Sequence, residues 1–286
     1  MRRRFAQVDV FGATAGSGNP VAVVLDGDGI DPARMQQIAA WLNVAETTFV
    51  LPATHPQADY RVRIFTVTGE LPFAGHPTLG TCHAWLAAGN ASRSLDKVLQ
   101  ECAAGVIAVR RTGVGLAFAA PPLRRSGPVA DELRSAVVAA LALDEDEIRA
   151  TAWVDNGPGW LGVLVDDPDR VLQLHCAPID QFIGVAAVRA DGELEVRAFY
   201  PVRGTMVEDP VCGSLNAGLA QWLPTIDALQ LPYVARQGAA LARDGRLSIS
   251  REGGAIWVAG ATRTLIDGTL RASAAADGEL LPSRAA

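Results

Sequence analysis

Two segments of the chain place polar side chains where a helix is expected to begin. Residues 75–78 read Gly-His-Pro-Thr, and residues 208–214 read Glu-Asp-Pro-Val-Cys-Gly-Ser. Each segment follows a short strand-like stretch with an aromatic residue, Phe65 in the first and Phe199 in the second. A duplicated strand–turn–helix unit predicts two similar halves that face each other, with a ligand between two helix starts. Because helix N-termini carry unpaired N–H groups and a partial positive charge, this arrangement suits a carboxylate ligand.

Glu46 is the candidate for acid–base chemistry. Moving a proton between two carbons needs one group that takes up a proton and returns it near neutral pH. A carboxylate can do this when apolar surroundings disfavour its charged form, and Val44, Ala45 and Phe49 lie close to Glu46 in the sequence. From the local sequence alone, however, a solvated glutamate at the entrance of a strand is the favoured interpretation.

Cys212 is a candidate for a second base. It lies just before the second helix start, a position that lowers the pKa of a thiol. A small packing residue explains the same cysteine, and we prefer that explanation. Structural interpretations also exist for Asp209 and Ser214, which are both common N-cap residues, and for His76, as a residue that caps its helix.

Composition and charge are typical of an ordinary globular enzyme. The 286 residues are 49% hydrophobic and 20% charged, with room for two domains of about 100–150 residues each. With 25 Lys and Arg against 31 Asp and Glu the net charge is -6, and without a basic stripe we expect no nucleic-acid partner. Apolar runs are shorter than the roughly 18–20 residues of a membrane helix, and the basic residues 2–4 lead directly into a strand pattern. We therefore expect a cytoplasmic protein without a membrane partner.

Cysteines and histidines indicate neither disulfides nor a metal site. The four cysteines are widely spaced and form no C-x-x-C pair, and a chain of this length does not need disulfides. The four histidines form no H-E-x-x-H motif. His76 and His83 are separated by roughly two helical turns, which is too far for one metal ion. We expect no metal.

The elements that must position these residues follow from periodicity and from helix and strand breakers. The glycine-rich stretch 12–20 is followed by a strand rather than a helix, so it does not fit a nucleotide-binding fingerprint. Asp31 and Pro32 open a helix that ends near Asn43, Pro77 opens a nearly apolar helix at 78–88, and a similar helix follows at 214–223. A third kind of helix, amphipathic, is predicted at 131–141, after a linker at 119–128. Strands are predicted at 5–11, 21–25, 47–51, 60–66, 106–110, 114–119, 151–154, 160–165, 184–188, 194–199, 247–250 and 256–259.

Strand-rich halves with one buried helix each indicate a fold of the α+β class. In such a fold a curved sheet surrounds a central helix in each domain. The residues after about 271 are rich in Ala and Ser and are expected to fray.

Four segments, taken together and in this order, resemble the PhzF family of phenazine-biosynthesis-like isomerases. They read Gly18-Asn-Pro-Val-Ala-Val-Val24, Glu46-Thr-Thr-Phe-Val50, Glu70-Leu-Pro-Phe-Ala-Gly-His-Pro-Thr78-Leu-Gly and Glu208-Asp-Pro-Val-Cys-Gly-Ser214. The similarity covers about residues 5–270. Any one of the segments alone would be a weak signal, whereas the set is specific.

The resemblance implies a fold like that of diaminopimelate epimerase. This fold has two pseudo-symmetric domains, each a curved mixed sheet around a central helix, with the site in the cleft between them. The implied domains are 1–120 and 121–270, followed by a frayed tail at 271–286. The last strand of the second domain could pack on the first domain. Family members are typically homodimers. Their best-known activity is the isomerisation of trans-2,3-dihydro-3-hydroxyanthranilate, without a metal or an organic cofactor.

The resemblance also implies roles for individual side chains. Glu46 becomes the general acid and base, His76 a hydrogen-bonding partner that helps to deliver the proton, and Asp209 a group that orients an amino or hydroxyl substituent. Ser214 and the backbone near Gly213 would hold the carboxylate of a small-molecule substrate. The remaining substrate-binding positions, which also have a structural interpretation as turn and helix-start residues, are Asn19 and Gly75.

Departures from the family pattern bear on the chemistry. Ala45 stands where the family often has Ser, and Cys212 where Thr is usual. Related epimerases and racemases place a cysteine at the second helix start, but the matching position of the first unit is Ala74, so a two-thiol mechanism lacks one base. The sequence predicts a cofactor-independent isomerase that moves a proton by an allylic or keto–enol shift. An epimerase that uses Cys212 and a non-catalytic small-molecule-binding homologue remain as alternatives.

Overall fold

The computed structural model describes residues 1–272, which form 18 strands and five α-helices. The helices are α1 (Pro32–Leu42), α2 (Gly75–Ala87), α3 (Asp131–Ala140), α4 (Pro168–Gln173) and α5 (Gly213–Trp222). The strands of the first part of the chain are β1 (Arg2–Val10), β2 (Asn19–Val24), β3 (Glu46–Leu51), β4 (Tyr60–Phe65), β5 (Glu70–Leu71), β6 (Lys97–Cys102), β7 (Gly105–Thr112) and β8 (Gly115–Ala119). The others are β9 (Arg125–Gly127), β10 (Ile148–Asp155), β11 (Trp160–Val165), β12 (Phe182–Val188), β13 (Leu194–Val202), β14 (Thr205–Asp209), β15 (Tyr233–Gln237), β16 (Gly245–Glu252), β17 (Ala255–Gly260) and β18 (Thr262–Arg271).

The same order of strand pairings occurs twice. In the first half β1–β2 is antiparallel, β2–β3 parallel, β3–β4 antiparallel, β4–β6 parallel and β6–β7 antiparallel. In the second half β10–β11, β11–β12, β12–β13, β13–β15 and β15–β16 repeat this order of directions. The repetition agrees with two pseudo-symmetric halves built on mixed sheets.

Helices α2 and α5 lie at the centres of the two halves. Most residues of both helices are buried, and α2 packs on strands of the first half while α5 packs on strands of the second. Their sequences are apolar around the whole circumference, which is typical of a helix enclosed by a sheet. The predicted helix starts were late, since α2 begins at Gly75 instead of 78. Pro77 therefore lies in the first turn. The N–H groups of a first turn make no intrahelical hydrogen bond, so proline, which lacks this group, is tolerated there.

Strands also cross between the halves. Strand β17 pairs antiparallel with β8, and β18 pairs antiparallel with β1 along its whole length. The last described strand of the chain therefore completes the sheet of the first half. The boundary between domains 1–120 and 121–270 stays a prediction, and the predicted tail at 271–286 lies, from residue 273 onward, outside the described residues.

An arginine–glutamate pair repeats next to each helix start. Arg63 binds Glu70 and Arg197 binds Glu208 through two nitrogens each, with the closer contact at 2.6 Å in both pairs. The pair formed by Arg197 is the buried one, with 8% of either side chain exposed. The shared geometry shows that the two segments singled out from the sequence occupy equivalent places in the two halves.

Several short or exposed elements escaped the sequence patterns. These are β5, β6, β9, β14, β15, β18 and α4. Strand β9 lies inside the predicted linker, where it pairs with β10. Short or exposed segments carry little hydrophobic periodicity, so their pairing depends on neighbours that are distant in sequence. Within residues 1–272, every helix is too short or too polar to cross a lipid bilayer.

Candidate active site

The N-termini of α2 and α5 meet at the centre of the molecule. A methyl group on Gly75 would lie 3.0 Å from the Cα atom of Gly213, and one on Gly213 would lie 3.1 Å from the Cα atom of Gly75. The ring of Phe118 also packs against this contact, and its nearest atom would be 2.7 Å from a methyl group on Gly75. Only glycine fits such a close approach of two backbones. Both glycines therefore have a packing role, whatever they bind.

Glu46 and His76, the two residues predicted to do acid–base chemistry, lie next to each other. Glu46 begins β3 and His76 is the second residue of α2, and their Oε2 and Nε2 atoms are 3.1 Å apart. Only 14% of the glutamate side chain and 4% of the histidine side chain are exposed. The distance is that of an ion pair, although neither atom has a well-aligned hydrogen-bond partner within residues 1–272. The two groups are therefore in contact in a space that is largely shielded from water.

Asn19 connects this pair to the second half of the molecule. Its Nδ2 atom donates to Asp209 Oδ1 at 2.7 Å and to the carbonyl of Val211 at 3.0 Å, and lies 3.3 Å from His76 Nδ1. An amide nitrogen has two hydrogens, so the two oxygens take both of them. The Pro20 backbone also lies near His76 and adds to the effects that raise the pKa of His76. The fully buried Asn19 thus lies between the imidazole and the Asp209 carboxylate.

The segment around Asp209 is held by Gln237 on β15. Its amide nitrogen donates to the carbonyl of Asp209 at 2.9 Å, and its oxygen accepts from the Cys212 backbone N–H at 3.1 Å and from Asn216 at 3.0 Å. Gln237 is buried, so water does not compete for these hydrogen bonds as it would in an exposed loop. Asp209 is therefore positioned by a neighbouring strand rather than by its own turn alone.

The ionisable groups influence one another's pKa values. Burial, with the nearby Glu46 charge, raises the pKa of Asp209 to about 6. For His76, burial alone would lower the pKa, but the Glu46 carboxylate and then Asp209 outweigh it and raise the pKa above its ordinary value. Two carboxyl groups and one imidazole in a shielded space favour the state in which the imidazole carries a proton.

Cys212 and Ser214 have mainly structural contacts. Cys212 is the N-cap of α5, and its Sγ accepts from the Leu215 N–H at 3.4 Å. The hydroxyl of Ser214 accepts from Trp160 Nε1 at 2.9 Å. The expectation that the helix start lowers the pKa of the thiol is wrong, because burial and then the Asp209 charge raise the pKa of Cys212 well above its ordinary value.

The structure brings all the predicted site residues together where α2 and α5 begin. The roles assigned to them in catalysis and substrate binding stay predictions. Within the described part of the chain, no three His, Cys, Asp or Glu side chains are arranged to hold a metal ion. Sequence reasoning missed Gln237 and Tyr200, of which Tyr200 directly follows the repeated Arg-x-Phe pattern at 197–199. Extending the comparison of the two halves by one residue would have drawn attention to it.

Comparisons with known proteins agree with this geometry. The family model for phenazine biosynthesis-like proteins, PhzC-PhzF, matches residues 8–274. The chain is 34% identical over 293 residues to the Schizosaccharomyces pombe protein named antisense-enhancing sequence 1, covering 92% of this chain and 97% of that protein. It is 31% identical over 264 residues to the trans-2,3-dihydro-3-hydroxyanthranilate isomerase of Pseudomonas aeruginosa, covering 87% and 91% of the two chains.

Among solved structures, a predicted epimerase from Pseudomonas aeruginosa has a TM-score of 0.77 and 27% identity, with 95% of this chain and 100% of that chain covered. Its likeness extends over both halves of the chain. The α+β fold with two similar halves, predicted from the sequence, is confirmed.

Proposed function

The chain belongs to the PhzC-PhzF phenazine biosynthesis-like family and is an isomerase, and from this premise we propose how it works. The proposed reaction is a proton shift, allylic or keto–enol, on a small metabolite that carries a carboxylate. Glu46 is the group that moves the proton. The reaction uses the side chains of the cleft alone, without a cofactor.

The contact between Glu46 and His76 carries the proposal. In the carboxylate form, Glu46 accepts a proton from one carbon of an unsaturated ligand and returns it to another carbon of the same conjugated system. The pair of electrons stays within the ligand, so the step needs no oxidant or reductant. His76, at 3.1 Å, stabilises the carboxylate before the transfer and can share its proton afterwards.

The surroundings of this pair supply groups that can hold a ligand. The joined N-termini of α2 and α5 present backbone N–H groups and a positive end of each helix dipole, which suit a carboxylate. The oxygen of the fully buried Asn19 has no hydrogen-bond partner within residues 1–272, so it is free to accept from a hydroxyl or amino group. Asp209, at the other end of Asn19, is a second acceptor.

Thiol chemistry fits the cleft less well. An epimerase of the two-base kind needs two thiols that ionise readily on opposite sides of the ligand. Here burial raises the pKa of Cys212, and Ala74 occupies the equivalent place at the start of α2. A homologue that binds without catalysis would have no need for the shielded carboxylate–imidazole pair. We therefore assign the proton shift to Glu46.

Solvent-deuterium incorporation tests the proposal before the product is known. The protein is incubated in D₂O with cyclic amino and hydroxy acids, including trans-2,3-dihydro-3-hydroxyanthranilate, the compound named for the Pseudomonas relative. Glu46→Gln is expected to reduce incorporation and turnover by about 10²- to 10⁴-fold, the usual contribution of a positioned acid–base group. Glu252→Gln, at a side chain that is 67% exposed on β16, is the matched control. Parent-like turnover by Glu46→Gln would remove Glu46 from this role.

The quaternary structure and the location of the protein belong to the same proposal. We propose a cytoplasmic homodimer with no nucleic-acid or membrane partner, as the composition and the family resemblance suggest. Light scattering at several protein concentrations measures the mass in solution, for which a monomer of 30.0 kDa is the contrary result.

A further inference from the structure

Tyr200 is a side chain close to Asp209 and Glu46 that the proposed mechanism leaves unused. It is half-buried, and its hydroxyl makes no hydrogen bond to another residue within 1–272 and stays open to solvent. Tyr60, by contrast, donates its hydroxyl to Gln100 at 2.9 Å. A phenol whose ring is held by packing and whose hydroxyl is open to solvent is available to an incoming ligand.

The strand register places Tyr200 on the same face as Asp209. In the β13–β14 hairpin Ala198 is opposite Asp209 and Tyr200 is opposite Val207. Residues directly opposite each other share a face, and diagonal neighbours are about 7–8 Å apart, within the reach of a tyrosine. Phe199 points to the other face, where it belongs to a separate core cluster. Tyr200 therefore flanks the Asp209 carboxylate on the cleft side.

Two aromatic side chains fix the position of the Tyr200 ring. Phe182 stacks on it with ring centroids 5.9 Å apart and an angle of 20°, and Trp160 meets Phe182 edge to face at 5.2 Å. The Trp160 indole is in turn bonded to Ser214 at the start of α5. This row of three rings, Trp160, Phe182 and Tyr200, is the aromatic wall of the cleft. It holds Tyr200 in place at one end and contacts the helix start at the other.

The parallel strand pairs of the two halves begin with different kinds of side chain. Parallel strands β2 and β3 begin with Asn19 and Glu46, whereas the corresponding parallel strands β11 and β12 begin with Trp160 and Phe182. One half thus places polar side chains at these strand starts, and the other half places aromatic side chains there, which can pack against a ring.

The residue that corresponds to Tyr200 in the first half is Thr66, which also follows an Arg-x-Phe stretch. Its hydroxyl is occupied within its own turn, where it donates to the carbonyl of Gly69 and accepts from the N–H groups of Thr68 and Gly69. Only the second half therefore presents a free hydroxyl at this position.

The surroundings keep that hydroxyl protonated. Burial and then the charges of Asp209 and Glu46 raise the pKa of Tyr200 above its ordinary value. A neutral phenol donates one hydrogen bond and can also accept one.

We propose that Tyr200 is the specificity-determining residue of the cleft, where its hydroxyl donates a hydrogen bond to an oxygen substituent on the ring of the bound carboxylate. The inference rests on the proposed function for the location of the ligand, and it adds the means by which ligands with a ring oxygen are preferred. Tyr200 is a positioning residue in this scheme and takes no part in the proton transfer.

Calorimetric titration of the full-length protein with benzoate and with 2-, 3- and 4-hydroxybenzoate tests this inference. The parent should bind one hydroxybenzoate isomer more tightly than benzoate. Tyr200→Phe keeps the ring stack, and should weaken binding of that isomer about five- to tenfold, the effect of one neutral hydrogen bond, without changing the affinity for benzoate. Tyr233→Phe, at a buried tyrosine on β15 whose hydroxyl is also unpartnered, is the matched control and should bind all four compounds as the parent does.

Three results would overturn the inference. They are equal affinities of the parent and Tyr200→Phe for every isomer, an equal loss for benzoate, and a parent that binds none of the four compounds at millimolar concentration. Urea unfolding of Tyr200→Phe verifies that any loss is not a loss of fold. Binding does not require turnover, so a parent-like rate for Glu46→Gln would refute the proposed mechanism while these titrations still decide the role of Tyr200.

Discussion

Replacing Asp209 with Asn should make the protein more stable at neutral pH and less active. The carboxyl lies beside Glu46 in a shielded space, and its pKa is raised to about 6 by burial first and by the Glu46 charge second. The side-chain oxygen of Asn can still accept from Asn19 and from the Val211 N–H, as the carboxylate does now at 2.7 and 3.2 Å. The substitution therefore removes the charge and keeps most of the bonds.

The sign of the pH dependence follows from the direction of this shift. A carboxyl whose pKa rises from 3.8 to about 6 on folding stabilises the folded state below pH 3.8, and this stabilisation is lost as the pH rises through 6. Two pKa units correspond to about 3 kcal/mol, of which about 2 kcal/mol is expressed between roughly pH 4.5 and 7.5. Asn has no such dependence. The free energy of unfolding of Asp209→Asn should therefore gain up to about 2 kcal/mol relative to the parent over this interval, less the stabilisation that the Asp209 charge gives to protonated His76.

Urea unfolding of both proteins at several pH values measures this difference. At the lowest pH, the difference in free energy of unfolding between the variant and the parent measures the structural cost of the amide. The change in this difference as the pH rises measures the effect of the charge. Asp166→Asn, at a side chain that is 74% exposed, is the control for removing a distant negative charge. A difference between Asp209→Asn and the parent that does not change with pH would refute the conclusion that burial and Glu46 act on this carboxyl. Turnover should fall in the same variant, because the proposed function uses the Asp209 carboxylate to orient the ligand.

Three further predictions concern the helix starts and the repeated ion pairs. Gly75→Ala should lower the free energy of unfolding by about 1–3 kcal/mol, since its methyl group would clash with a ring and a neighbouring backbone, whereas Gly69→Ala, with open space around it, should be nearly neutral. Cys212→Thr should keep activity within about threefold of the parent in steady-state assays, and a loss beyond about a hundredfold would favour thiol chemistry. Arg197→Met should cost about 3–5 kcal/mol in urea unfolding because it leaves a buried carboxylate unpaired, and Arg63→Met, at the more exposed pair, should cost about 1 kcal/mol or less; equal costs would contradict this reasoning.

Local signals in the sequence were sufficient for the elements that depend on nearby residues. Asp31 caps α1, Pro32 occupies its first position, and Asn43 ends it in the left-handed conformation, as the pattern predicted. Each of these effects involves residues within one turn of one another. The family motifs likewise indicated Glu46 and His76 without any knowledge of the packing.

The duplicated strand–turn–glycine–helix pattern also predicted the architecture. Two equal patterns predict two equal halves, and the pairing directions repeat as the duplication requires. The exact helix starts were less accessible, because the first turn of a helix has no intrahelical N–H bonds to mark it and so tolerates Pro77 inside it.

Only the tertiary structure decided how the side chains of the cleft act on one another. Asn19 and Asp209 lie in different halves, and their bond exists because the sheets of both halves place the starts of α2 and α5 side by side. The pKa of Cys212 also depended on the tertiary structure. Its position at a helix start predicted a lowered pKa, but burial and the Asp209 charge raise the pKa. Sequence encodes residue types and short-range geometry, whereas burial and charge–charge distance are set by chain segments that are remote in sequence, and those two quantities control the proton chemistry of the site.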